Sequence, residues 1–278
     1  MTHLPIALLI GICAGLHTAT WGMYKDAPHE GFTWFRYFRS PMVGFVMALI
    51  AYLVAPPDLS RPGQIVLFFG LVYVLERGAL EFWKTFLRDE DQGKYFIPMQ
   101  FAVFGRVIQG KGQRLLIGVP LAIIIVLVFL VVHWVSRRVT PEGGVSILTV
   151  FLVASISGWI SAFLGAWKDA PIEGFETLKF FRSPVAAGVY GVLLAPFTMS
   201  FLLVVCASLG YTIATLETYK TFFFPSKPRG KFAGKPMLYP EMLHRRKAFA
   251  VVYACIWALM ITGFVLAYSQ PHGAGLLS

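Results

Sequence analysis

The sequence predicts an all-α integral membrane protein of about eight transmembrane helices, arranged as two tandem four-helix repeats. Three observations point there. The chain is 57% hydrophobic and only 14% charged over 278 residues, where a soluble domain carries about 25% charged residues. Its charges fall into a few clusters separated by apolar runs, of which "VPLAIIIVLVFLVVHWV" (Val119 to Val135) has no formal charge at all. And two stretches nearly repeat: "YKDAPHEGFTWFRYFRSP" from Tyr24 and "WKDAPIEGFETLKFFRSP" from Trp167.

The apolar segments of the first half are about 4–23, 41–56, 63–83 and 115–135. Those of the second are about 146–166, 184–196, 198–219 and 248–268. Runs of this length with few charges read as membrane spans. The N-terminal run, Leu4 to Met23, has no basic stretch before it and reads as a retained span rather than a secretory signal.

The repeat fixes the domain organisation. Lys25, Asp26, Ala27, Pro28, Glu30, Gly31 and Phe32 match Lys168, Asp169, Ala170, Pro171, Glu173, Gly174 and Phe175. Arg36 pairs with Lys179, and "FRSP" closes both phrases. Further on, "LEFWKTF" from Leu80 matches "LETYKTF" from Leu216, and Gly93-Lys94 matches Gly230-Lys231. The separation drifts only from 143 to about 137 positions, so the reading is a tandem duplication, 1–138 followed by 144–278. Four crossings return the chain to its starting side. The halves are then parallel and related by a pseudo-twofold axis along the membrane normal. The weakest element is the break at "LAPFTMS" (Leu194 to Ser200); without it the count is seven spans and the halves are inverted.

Charge separates those topologies. With eight spans, the loops 24–40, 84–114, 168–182 and 220–247 lie on one face and hold 3, 6, 3 and 8 Lys/Arg, which is 20 of the 24. By the positive-inside rule that face is cytoplasmic, in a plasma (inner) membrane, with both termini outside. The net charge of +10 is then a property of one membrane face. The partners it implies are anionic lipids, with a protein partner on the basic loops as a further option, and not nucleic acid.

The repeated phrase reads as an interfacial amphipathic helix started by Asp26, leading into a span that opens at Ser-Pro. Ser40 and Ser183 would be N-caps, with Arg39 and Arg182 standing just before two short spans. A helix N-terminus with an adjacent arginine is an anion site. The candidate anion or lipid-headgroup residues are therefore Lys25, Arg36, Arg39, Ser40, Lys168, Lys179, Arg182 and Ser183. The acidic candidates are Asp26, Glu30, Glu81, Asp169, Glu173 and Glu217. Glu81 and Glu217 each precede a lysine by three residues, Lys84 and Lys220, a spacing that pairs them on one helix face. Glu76 and Arg77 lie deeper and have Thr212 and Ile213 as counterparts, so any role they play breaks the symmetry.

Other motifs are weak. His17 is alone within the first span, and such a residue more often bonds between helices than ligates metal. Cys13, Cys206 and Cys255 sit in apolar runs without ligand spacing and read as buried thiols. "GKGQR" (Gly110 to Arg114) lacks the strand and helix that a phosphate-binding loop needs. No metal site, catalytic set or cofactor is indicated. Three functions remain: a transporter or channel-like protein with a pseudo-symmetric anion site at the cytoplasmic interface, a membrane enzyme acting on a lipid or polyprenyl phosphate, and a non-catalytic scaffold subunit.

Overall fold

The computed structural model describes residues 3–139, 144–223, 230–271 and 273–277. The junction at 140–143, both chain ends, and the stretch 224–229, with Lys227 and Arg229 of the basic loop, lie outside the described residues. Among the described residues there are eight α-helices: α1 (Leu4–Glu30), α2 (Trp34–Val54), α3 (Pro62–Phe82), α4 (Lys111–Val139), α5 (Ile147–Glu173), α6 (Thr177–Leu194), α7 (Phe201–Phe222) and α8 (Met242–Ser269). A π-helical turn, Trp83–Leu87, extends α3. A two-stranded antiparallel hairpin, β1 (Ala102–Val103) and β2 (Arg106–Val107), sits in the loop that follows.

Seven helices are long and apolar enough to cross a bilayer. The exception is α3, which carries Glu76, Arg77 and Glu81. It is also central: Val66, Leu67, Phe68, Phe69, Val72 and Tyr73 of α3 all belong to the main core cluster. Charge is tolerated there because neighbouring helices, not lipid, surround it.

The local structure of the repeated phrase differs from the sequence expectation. Asp26 starts no helix; it lies in the last turns of α1, which runs through Pro28 to Glu30. Asp169 and Pro171 lie equally inside α5. The chain turns instead at Gly31 (φ 74°) and Gly174 (φ 82°), whose backbone N–H groups return to Ala27 O and Ala170 O. These positive φ values suit glycine because it has no Cβ to clash. The next helix begins at Trp34, where the Thr33 side chain accepts from Arg36 N at 3.4 Å. It then continues straight through Ser40-Pro41, and α6 likewise runs through Ser183-Pro184.

Ser40 and Ser183 are therefore not N-caps, and the two spans are not short: α2 has 21 residues and α6 has 18. No free helix N-terminus stands beside Arg39 or Arg182. The glycine set the break several residues earlier than the proline could. A proline inside a membrane helix is tolerated when neighbours re-satisfy the backbone it frees.

The Ser-Pro pair has a packing role instead. A Cβ on Gly15 would overlap Ser40 O and the Pro41 backbone, and a Cβ on Gly158 would overlap Ser183 O and the Pro184 backbone. At both places α1 meets α2, or α5 meets α6, with backbones in direct contact. Gly70 of α3 and Gly210 of α7 provide a third such crossing in the middle of the bundle.

The break between α6 and α7 is present as a 3-10 turn, Ala195–Phe197, followed by Ser200 capping α7 onto Leu203 N at 3.3 Å. The loops sort into two ends. At one, Leu276 N donates to Ala195 O at 2.9 Å, Val145 N to Leu276 O at 2.9 Å, and His3 approaches Asp58 at 3.6 Å. At the other, Phe96 N donates to Lys231 O at 2.7 Å, Tyr239 N to Pro28 O at 2.9 Å, and Trp167 Nε1 to Ala102 O at 3.1 Å. This second end gathers segments of all four basic loops.

Candidate functional site at the basic end

Among the described residues, eight of the loop cations at this end pair with carboxylates. Glu81 accepts from Arg77, one turn earlier on α3, and from Lys84 Nζ at 3.2 Å. Glu217 accepts from Lys220 at 2.9 Å, and Lys25 from the other half of the chain approaches it at 3.7 Å. Lys168 does the reverse: it belongs to the second half and its charge is felt at Glu81 in the first, while its Nζ reaches Met99 Sδ at 3.7 Å. The central α3–α7 contact is thus braced by lysines exchanged between halves.

Outside these helices a second network ties the loops. Lys231 Nζ lies 2.8 Å from Asp26 and 3.6 Å from Glu30. The Tyr95 hydroxyl is 2.9 Å from Glu30 Oε1 and 3.0 Å from Glu90 Oε2, close enough to give its one proton to either. Glu90 also holds Arg88 at 2.6 Å and pairs with Lys94. Burial alone would push the Glu90 carboxyl up, but the Lys94 hydrogen bond and the Arg88 guanidinium hold it below the usual carboxylate range. Burial and the carboxylates push the Tyr95 phenol up. Lys179 is saturated by Asp169 at 2.9 Å and Glu173 at 2.7 Å.

Against this background two predicted residues stand out. Among the described residues, neither Arg39 nor Arg182 makes an ion pair or a hydrogen bond, and each has a buried Nε with no partner. The Arg39 guanidinium rests over the Trp83 ring, 5.0 Å from its centroid. Arg88 lies over the same indole at 5.4 Å. Arg36 bonds only a backbone oxygen, Glu30 O, at 3.4 Å. The like charges of Arg88 and Arg36 are both felt at Arg39. The carboxylates of Glu76 and Glu30 are felt there too, but neither pairs with it, so this half-buried guanidinium leaves its donor fork free for a planar or tetrahedral anion.

The eight predicted anion-site residues therefore divide. Arg36 and Arg39 come together; Arg182 is equally uncommitted in the other half. Lys25, Lys168 and Lys179 serve internal carboxylates. Ser40 and Ser183 are buried in the α1–α2 and α5–α6 packing. All six acidic candidates sit at this end, and all six have basic neighbours.

Trp83 and Arg88 were not singled out by sequence, although Trp83 lies within the repeated "LEFWKTF" stretch. Arg114 was passed over too. It is fully buried and binds the carbonyls of Phe86, Ile108 and Gln109 as well as Asp89, closing the 88–110 loop onto α4. Its signal was only a basic residue at the start of an apolar helix, which is indistinguishable from a topology charge. No group of three or more His, Cys, Asp or Glu suited to a metal ion occurs among the described residues. No protein-family model, curated protein or solved structure matches this chain.

Proposed function

We propose that the chain is a multi-pass membrane transporter or channel-like protein whose basic, cytoplasmic end carries an anion site for a phosphate or a lipid headgroup. The observation that carries this reading is the uncommitted guanidinium of Arg39, seated on Trp83 beside Arg36 and Arg88. Its counterpart Arg182 provides the second, pseudo-symmetric position.

The packing supports two parallel repeats. Contacts of α1 with α2 recur as α5 with α6, those of α1 and α2 with α3 recur as α5 and α6 with α7, and α3 with α8 recurs as α7 with α4. The α3–α7 pair lies where the pseudo-twofold axis would pass. With α3 counted, eight helices cross. The enzyme reading is less well supported because each repeated carboxylate already faces a lysine or arginine, which leaves no pseudo-symmetric base beside Arg39 and Arg182.

The test is phosphate binding by the detergent-solubilised protein, followed by phosphorus NMR with inorganic phosphate and with short-chain phosphatidic acid. Arg39→Ala should weaken binding by about tenfold or more, in line with one charge-assisted contact. Arg39→Lys should recover only part, because a lysine neither forks nor stacks on Trp83. Unchanged binding in an Arg39→Ala/Arg182→Ala double variant would rule the site out. Preference for the acylated phosphate over the inorganic one would identify the anion as lipid-borne.

A further inference from the structure

Glu76 is fully buried in α3, and among the described residues it forms no ion pair. Its sequence neighbour Arg77 turns to Glu81 instead. What holds the Glu76 carboxyl is a neutral hydroxyl. Thr18 Oγ1 of α1 donates to Oε2 at 3.1 Å, and the Ser40 hydroxyl of α2 lies nearby. The other oxygen, Oε1, is buried and has no partner.

The groups that face it come from several elements. Arg77 and Tyr73 share its helix, Lys84 is in the π-turn, and Arg39 reaches it from α2. From α1, His17 Nδ1 meets the Tyr73 hydroxyl at 3.0 Å. Tyr253 of α8 stacks on His17, with ring centroids 4.1 Å apart, and Glu217 of α7 faces Arg77. The cations favour a carboxylate. Burial away from water, without a cation in contact, favours the neutral acid. Arg77 and Lys84 are committed to Glu81, and Arg39 makes no ion pair with Glu76, so none of them locks the charged form.

The second half shows that the bundle does not need an acid here. The matching residue is Thr212, also buried, whose hydroxyl returns to Ser208 O of its own helix at 2.8 Å. Thr18 and Ser40 have the hydroxyl residues Ser161 and Ser183 as counterparts, but Glu76, Tyr73 and His17 have Thr212, Leu209 and Ile160, so the acid and its His–Tyr neighbours are particular to the first half.

We propose that Glu76 is a proton-binding site, taking a proton from water onto Oε1 and releasing it again while the protein stays folded. Protonation breaks one O–H bond of a hydronium ion, leaving water, forms one on the carboxyl and removes one negative charge from the bundle; release returns the proton to water. The site rests on its own contacts and stands whether or not Arg39 binds an anion.

The experiment is infrared difference spectroscopy of the full chain in lipid, with pH stepped and no added anion. The wild type should show a protonated-carboxyl C=O band that fades as pH is raised. Glu76→Gln, which keeps the shape, should lack that band at every pH. Glu76→Thr, which copies the second half, serves as a folding-tolerant second variant and should lack it too; circular dichroism checks that each remains helical. A band pattern identical in wild type and in whichever variant folds, or a Glu76 band indifferent to pH, would overturn the proposal.

Discussion

Gly31 and Gly174 determine how the repeated phrase folds. At φ 74° and 82° with extended ψ they occupy backbone space that side chains avoid. No atom lies within 4 Å of a Cβ built on Gly174, so Gly174→Ala tests backbone strain alone. It should cost about 1–3 kcal/mol of stability, read as a lowered thermal midpoint in detergent. At Gly31 the added methyl would also press on the Tyr239 ring at 3.1 Å, and the loss should be larger. The duplicated glycine was visible in the sequence, but the Ser-Pro signal beside it looked stronger. Proline restricts a backbone locally, whereas only neighbouring helices show whether its freed carbonyl is accommodated. The arginines are the converse case. Their repetition marked Arg39 and Arg182, yet nothing in the sequence separated them from Lys25 or Lys179. That distinction depends on which carboxylate each side chain meets.

Helix pairs are the next scale. Gly15 and Gly158 let α1 and α5 press directly on the backbones of α2 and α6. Replacing Gly158 by Leu would insert four carbons where none fits. It should destabilise the α5–α6 pair by about 1–3 kcal/mol or more, because overpacked cores do not yield smoothly. Disulfide trapping between engineered cysteines on α5 and α6 would report the separation. A normal crosslinking rate in Gly158→Leu would contradict this packing. The seven apolar helices were legible from hydropathy. Their ends were not, since charged and proline-containing turns lengthened α1, α2, α5 and α6 beyond the apolar runs. Helix formation continues into such turns wherever backbone groups stay paired, regardless of hydropathy.

For the whole molecule, the basic end is where loops, halves and proposed ligand meet. Glu90 is held below the usual carboxylate range in the folded state, so its contribution is present above that range and disappears as pH falls through its folded value. Protection of residues 88–101 from hydrogen exchange, taken relative to the intrinsic rate at each pH, should therefore fall in acid, and Glu90→Gln should show low protection already at neutral pH with little further acid dependence. The proposed sites also connect. Glu76 and Arg39 feel one another's charge, and Ser40, next to Arg39, lies near Glu76. Binding an anion at Arg39 should favour protonation of Glu76, and protonation should by reciprocity strengthen anion binding. Phosphate affinity in the wild type should rise as pH is lowered, and in Glu76→Gln that part of the pH dependence should vanish.

By itself the sequence determined the helical class, the apolar spans, the matched phrases and the crowding of basic residues into four loops. These properties are local or additive along the chain. Tertiary structure decided which cations are spent on carboxylates, where backbones touch, and that a lone acid in one half has no cation against it. Those are properties of pairs far apart in sequence, such as Lys25 with Glu217 or Thr18 with Glu76. They exist only after the helices have been brought side by side.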